Sequence, residues 1–224
     1  MKGSVIVIAG IDTGIGKTFA TGLLARALLD NGKNVITQKI VQTGCNGVSE
    51  DIVEHRRLMG TGLLEVDQEG LTCPYVFRYP ASPHLSARLD STAIDLMHIR
   101  RCTLTLQKRY ELILLEGVGG LLVPLADELL FADYIRDAGY GLLLVTNPRL
   151  GSINHTLLSI EACVKRGIVL RGIIYNSFQP AAKLIVDDTR DLIQRALHKA
   201  GYCAPVVNLY DGILDADAID RLSL

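Results

Sequence analysis

The chain has 224 residues, 23 of them basic and 24 acidic, for a formal net charge of −1. So even a balance gives no electrostatic footprint for nucleic acid or an anionic membrane surface, and no apolar run approaches the ~18 residues of a membrane span. Hydrophobic residues make up 49% of the sequence, which fits a sheet buried on both faces, and the length suits one α/β domain over 1–224. The five cysteines, Cys45, Cys73, Cys102, Cys163 and Cys203, are odd in number and widely spaced, with no Cys-x-x-Cys. They read as free thiols of a reducing cytoplasm, not as a disulfide framework or a metal site. Residues 1–9 run straight into a glycine-rich motif without a small-residue cleavage site, so no signal peptide is expected.

Strand and helix signals alternate along the chain. Ser4–Ala9 is a continuous β-branched run, as in a central parallel strand. Thr18–Asp30 carries Phe19, Leu23, Leu24, Ala27 and Leu28 at helical spacing and stops at Gly32. A strand over Asn34–Ile40 follows, then a polar, glycine-punctuated stretch with a helix near Asp51–Met59 and an irregular stretch over Cys73–Pro83. Asp90–Lys108 predicts a long amphipathic helix. Tyr110–Glu116 is a strand ending in a glycine run, and Phe131–Ala138 a short helix. Gly141–Asn147, Leu170–Ser177 and Ala204–Tyr210 predict strands, with helices over Ser152–Lys165 and Lys183–Ala200 between them and a possible short helix in the acidic tail. Strands joined by helical crossovers pair in parallel with right-handed connections, which predicts an α/β, doubly wound domain with a mostly parallel sheet. Ligands of such sheets sit beyond the carboxyl ends of the strands. The residues after Ala9, Ile40, Leu115, Val145 and Tyr175 are therefore expected to share one crevice.

Several of those residues carry chemistry. Gly10–Thr18 misses the strict G-x-x-x-x-G-K-[ST] spacing by one position but matches the longer G-x-D-T-x-x-G-K-T in full. Its backbone N–H groups from Thr13 to Thr18 are set to wrap a phosphate at a helix N-terminus, with Lys17 reaching the β/γ-phosphates and the Thr18 hydroxyl reaching Mg²⁺. Lys39, at a strand's carboxyl end, is placed to neutralise a transferring phosphoryl group or a substrate carboxylate. Glu116 ends a strand of Leu and Ile, where a carboxylate is costly unless paired or metal-bound, at the position where P-loop enzymes keep a second Mg²⁺ acid. Taken alone, Asp51 reads as a solvated acid. Ser152 opens a helix and could cap it or contribute to an anion site. His84 and His155 read as structural. Asn176 ends a strand, either as a turn residue or as an amide facing a base edge.

The ordered set G-x-D-T-x-x-G-K-T (Gly10–Thr18), K-x-V-x-[ST]-G (Lys39–Gly44), S-P-H (Ser82–His84), L-E-G-x-G-G (Leu115–Gly120), F-A-D (Phe131–Asp133) and L-G-x-I-N-H (Leu150–His155) resembles the dethiobiotin synthetases of biotin synthesis. The resemblance implies a homodimeric, ATP- and Mg²⁺-dependent ligase acting on 7,8-diaminononanoate. One amine takes up CO₂ as a carbamate, the carbamate attacks the γ-phosphate of ATP, and the second amine closes the ureido ring with loss of phosphate. It further implies that Asp12, Thr13, Gly14, Ile15, Gly16, Lys17, Thr18, Glu116, Gly119 and Asn176 bind nucleotide, with Asn176 reading adenine. Lys17 and Lys39 would flank the transferred phosphoryl group, and Thr18, Asp51 and Glu116 would hold Mg²⁺. Thr43 would contact the diamine, and Gly151, Ser152 and Asn154 the substrate carboxylate across the dimer. Ile11, Gly14 and Ser177 depart from the family pattern. A partition or septum-placing switch ATPase is the alternative. Such proteins carry a second lysine early in the loop, where this chain has Gly10, Ile11 and Asp12.

Overall fold

The computed structural model describes residues 2–178 and 182–224. Along the chain run β1 (Ser4–Gly10), α1 (Lys17–Asp30), β2 (Val35–Lys39), β3 (Gln42–Thr43), α2 (Glu50–Met59), α3 (Glu65–Gln68) and β4 (Val76–Phe77). Then come α4 (Pro83–Leu89), α5 (Leu96–Arg109), β5 (Leu112–Gly120), β6 (Pro124–Ala126), β7 (Leu129–Leu130) and α6 (Phe131–Ala138). The last part holds β8 (Gly141–Thr146), α7 (Ser152–Arg166), β9 (Leu170–Asn176), α8 (Lys183–Lys199), β10 (Val206–Tyr210), β11 (Ile213–Leu214) and α9 (Ala218–Leu222). Seven strands form one sheet in the order β11-β10-β9-β8-β1-β5-β2. β1 pairs in parallel with β5 on one side and β8 on the other, and β2, β9 and β10 extend the parallel array. β11 turns back antiparallel at the edge. This is the doubly wound, mostly parallel α/β fold that the alternation predicts.

The sheet is buried on both faces because its strands are apolar at consecutive positions. Val5–Gly10 and Leu142–Thr146 are buried without a break, and since successive side chains point to opposite faces, both faces must be covered. That burial puts the polar ends of the same strands, rather than their middles, at the carboxyl edge.

Three stretches differ from the sequence expectation. The helix expected from Asp90 starts at Leu96, because Asp95 caps it by accepting from Met97 N at 2.8 Å. Asp90 instead ends α4 and accepts from Arg78 N at 3.0 Å. The stretch read as irregular contains β4, which pairs in parallel with β3, followed by α4 with Pro83 in its first turn. β5 continues past Glu116 to Gly120. It does so because glycine leaves room where a side chain would not fit: a Cβ at Gly117 would sit 2.1 Å from the Phe131 ring.

A buried ion pair ties the connection after α2 to the sheet. Arg56 is 1% exposed and donates to both Asp67 oxygens, at 2.9 and 2.7 Å, and to Thr37 Oγ1 at 2.8 Å. Burial alone would raise the Asp67 pKa. The hydrogen bonds from Arg56, Thr72 and Leu64 outweigh it and hold the carboxyl below its ordinary 3.8. Asp67→Asn is expected to cost about 3–5 kcal/mol of stability at neutral pH, since Arg56 is left buried without its counter-charge. The depressed folded value means that this contribution is present above about pH 4 and lost as pH falls through it. In urea unfolding the deficit against wild type should hold from neutral pH down to about pH 4 and shrink below it. A negligible deficit at pH 7 would refute the assignment.

Candidate active site

Residues 11–16 form the loop between β1 and α1. Gly16 has φ 88°, in the left-handed region, and a Cβ there would lie 2.2 Å from Asn176 Nδ2, so both conformation and space require glycine. α1 then starts at Lys17, and its first turn carries no acidic residue. The free N–H groups and positive dipole end are left for an anion. Lys17 is only 7% exposed, and its Nζ donates to the Asp12 carbonyl at 2.7 Å. Burial, and then the nearby charge of Lys39, lower its pKa to about 8. A bound polyphosphate would reverse that, because an opposite charge favours the ammonium form.

Facing the loop is a cluster of charges from the end of β2 and the middle of β5, completed by α2. Lys39 and Glu116 are register partners on adjacent strands. Lys39 Nζ lies 2.7 Å from Glu116 Oε1, 2.5 Å from Asp51 Oδ2 and 3.0 Å from the Gly117 carbonyl. Burial would lower the Lys39 pKa, but the two carboxylates overcome it and raise it. Burial would likewise raise Glu116, which is fully buried; the charge of Lys39 and the hydrogen bond from His55 hold it far below the usual carboxylate range instead. Thr18 Oγ1 sits 3.1 Å from both Asp51 Oδ1 and Glu116 Oε1. Three hard oxygen donors therefore converge beside the phosphate loop. Among the described residues no group of three His, Cys, Asp or Glu could hold a metal by itself. The donor set fits Mg²⁺, which takes one or two carboxylates and completes its shell with phosphate oxygens and water.

His55 escaped the sequence reading. It is one helical turn beyond Asp51 on α2 and fully buried, with Nε2 2.7 Å from Glu116 Oε2. The i, i+4 spacing from Asp51 put both on one face of a helix, which was the available signal.

A cavity of about 880 Å³ joins these parts. Thr13, Gly14, Gly16, Lys17, Thr18, Lys39, Thr43, Asp51, Glu116 and Gly119 all line it, together with the turn Pro80–Pro83. A smaller hollow of about 210 Å³ opens off the same loop at Gly14, Gly16 and Phe19 and contains Ile15 and Asn176. The single crevice expected at the carboxyl ends is divided in two: Val41 and Glu116 line the larger space, Asn147 and Asn176 the smaller, and Gly14 and Gly16 border both. Asp12 lies outside both spaces; it accepts from Thr13 N at 2.8 Å and pairs with Arg149. Gly151, Ser152 and Asn154 line neither space in a single chain. Ser152 does not cap α7: it is the first helical residue, Gly151 is the N-cap, and no side chain accepts there. The Ser152 hydroxyl is buried with no partner among the described residues.

A family model described as an AAA domain matches residues 4–207. The ATP-dependent dethiobiotin synthetase BioD of Chlorobaculum tepidum is 61% identical over 221 residues, covering 98% of this chain and 92% of that relative. The chain belongs to the dethiobiotin synthetase family. A second synthetase of this family, from Haemophilus influenzae, is 50% identical over 184 residues, 82% of this chain and 96% of the relative. Among solved structures, a ParA family ATPase from Chlorobium tepidum superposes with a TM-score of 0.54 at 16% identity, over 99% of this chain and 88% of its own. The MinC:MinD cell division complex of Aquifex aeolicus gives 0.53 at 16% identity, over 98% and 85%. At that identity the likeness shows the fold alone, and the switch-ATPase alternative is not favoured beside the dethiobiotin synthetases.

Proposed function

We propose that the chain, acting as one domain in the cytoplasm, converts 7,8-diaminononanoate, CO₂ and ATP into dethiobiotin, ADP and phosphate. The observation that carries the reading beyond family membership is the set of two buried lysines, Lys17 and Lys39, lining one cavity with Thr43. A carbamate formed from one substrate amine is an anion, and so is the γ-phosphate it must attack. In a site of low dielectric their repulsion is severe, and two fixed cations are what such an encounter needs. Thr43 would orient the diamine end, and Lys17 and Lys39 would flank the phosphoryl group as it moves. The second amine then attacks the carbonyl carbon of the carbamic–phosphoric anhydride, closes the five-membered ring and releases phosphate. Thr18, Asp51 and Glu116 would hold Mg²⁺, which when bound neutralises polyphosphate charge. Asn176 lies beside the smaller hollow, where the base would sit.

The substrate's carboxylate end is assigned to Gly151, Ser152 and Asn154 of a second copy. Three features support a homodimer. Those residues open α7 outside this chain's own cavity, the Ser152 hydroxyl lacks a partner among the described residues, and Leu122, Leu150, Leu157 and Leu158 leave an exposed apolar surface around that helix.

The test is phosphate release. ATP should be consumed only when diamine and bicarbonate are both present, in one-to-one ratio with dethiobiotin, by a species that sediments as two chains. ATP hydrolysis at a comparable rate without diamine, or full activity from a monomer, would refute the scheme.

A further inference from the structure

We propose that Asn147, the residue after β8, reads the exocyclic amine of the nucleotide base, so that this chain selects 6-aminopurines through it. The inference rests on the nucleotide reading of the site above. Asn147 is 3% exposed and lines the 210 Å³ hollow that opens off the phosphate loop. Its carboxamide oxygen is buried and has no hydrogen-bond partner among the described residues. An unpaired buried acceptor loses its water without gaining a partner, and native proteins rarely keep one without a use for it.

The other amide of the hollow is already occupied. Asn176 Nδ2 donates to the Ile15 carbonyl at 3.0 Å, and its Oδ1 accepts from Phe178 N at 3.2 Å. Asn176 therefore latches the phosphate loop to the segment after β9, with one amide hydrogen and one lone pair left over. Asn147 holds the larger unused capacity. The walls are aromatic: Phe19 and Phe178 pack against each other with centroids 5.8 Å apart and both line the hollow, and exposed aromatic faces stack on bases. The last torsion of an asparagine is broad, so a modest turn of the carboxamide brings its oxygen to a donor in that space. The 6-amino group of adenine is such a donor, beside a ring-nitrogen acceptor for the amide N–H, and this two-point pairing is the standard match between asparagine and adenine.

The experiment compares equilibrium binding of ATP with that of purine riboside triphosphate, which has hydrogen in place of the 6-amino group, in wild type, Asn147→Val and Asn147→Ser, with unfolding midpoints recorded for each. The wild type should bind ATP about tenfold more tightly than the analogue, the difference of one net hydrogen bond. In Asn147→Val that ratio should collapse to about one, by loss of ATP affinity alone. Asn147→Ser, which is smaller and keeps a hydroxyl, decides the matter should the valine variant not fold; its ratio should fall at least threefold. A wild type without preference for ATP, or variants that keep the wild-type ratio, would overturn the assignment to Asn147. A wild type that binds neither nucleotide would instead overturn the nucleotide reading of the site.

Discussion

Replacing Lys17 with alanine is expected to lower turnover by at least about 10²–10³-fold, the cost of removing one preorganised group that stabilises transition-state charge, with little change in the unfolding midpoint. The two halves of this prediction have different causes. Catalytically, Lys17 is a cation at the helix N-terminus that closes the phosphate loop, so its loss is felt wherever negative charge moves between the β- and γ-phosphates. Structurally, its ammonium is bonded to one neutral carbonyl, that of Asp12, and its pKa is depressed by burial and by the like charge of Lys39. Its removal relieves desolvation and repulsion and breaks no ion pair. Lys17→Arg should not rescue turnover, because a planar fork does not replace a compact point charge at a tight loop. Single-turnover assays with unfolding midpoints measure both halves. Near-normal turnover in Lys17→Ala would contradict the phosphate-loop assignment.

The parts of the molecule legible in the sequence are those whose physics is local. Val5–Ala9, Leu112–Leu115 and Leu142–Val145 are apolar at consecutive positions, and only strands covered on both faces have a reason to be so. The glycines and Lys17–Thr18 are contiguous, and Lys39 and Glu116 stand out as charges at the ends of apolar runs. The two- and three-residue strands β3, β4, β6 and β7 and the four-residue helix α3 were not legible, because they are too short to show a period. His55 and the Arg56–Asp67 pair depend on where α2 packs, and their partners lie 61 and 11 residues away. Asn147 and Asn176 look alike in the sequence, each at the carboxyl end of an apolar run. Which of them is committed to the chain is decided by the path of Ile15 and Phe178. The face proposed to meet a second copy would have no local signature in the sequence, since the exposure of Leu150, Leu157 and Leu158 appears only once the chain is folded.

Glu116→Gln is expected to reduce kcat by a larger factor than it reduces the folding equilibrium, and to raise the Mg²⁺ concentration needed for half-maximal rate. The side chain is isosteric, so the packing against β2 and α2 survives. What changes is charge. Glu116 is the fully buried anion that faces Lys39 at 2.7 Å, His55 at 2.7 Å and Thr18 at 3.1 Å. An amide keeps one acceptor for those three donors and turns its NH₂ toward one of them. Lys39 is not stranded, because Asp51 remains 2.5 Å away on its other side. The stability loss should therefore fall short of the roughly 3–5 kcal/mol that follows when a buried charge loses its sole partner. No such spare exists on the functional side. Thr18 and Asp51 alone would supply the oxygen set for Mg²⁺ with one anion in place of two. Lys39, drawn wholly to Asp51, would no longer be held between the carboxylates at the phosphoryl position. Glu116→Asp keeps the charge but shortens the reach, and should recover the Mg²⁺ dependence better than the rate. Rates titrated with Mg²⁺, alongside urea unfolding of the same variants, separate these effects. A Glu116→Gln protein with the wild-type rate and Mg²⁺ requirement would show that this carboxylate serves only to neutralise Lys39, and that the cation's oxygen ligands lie elsewhere.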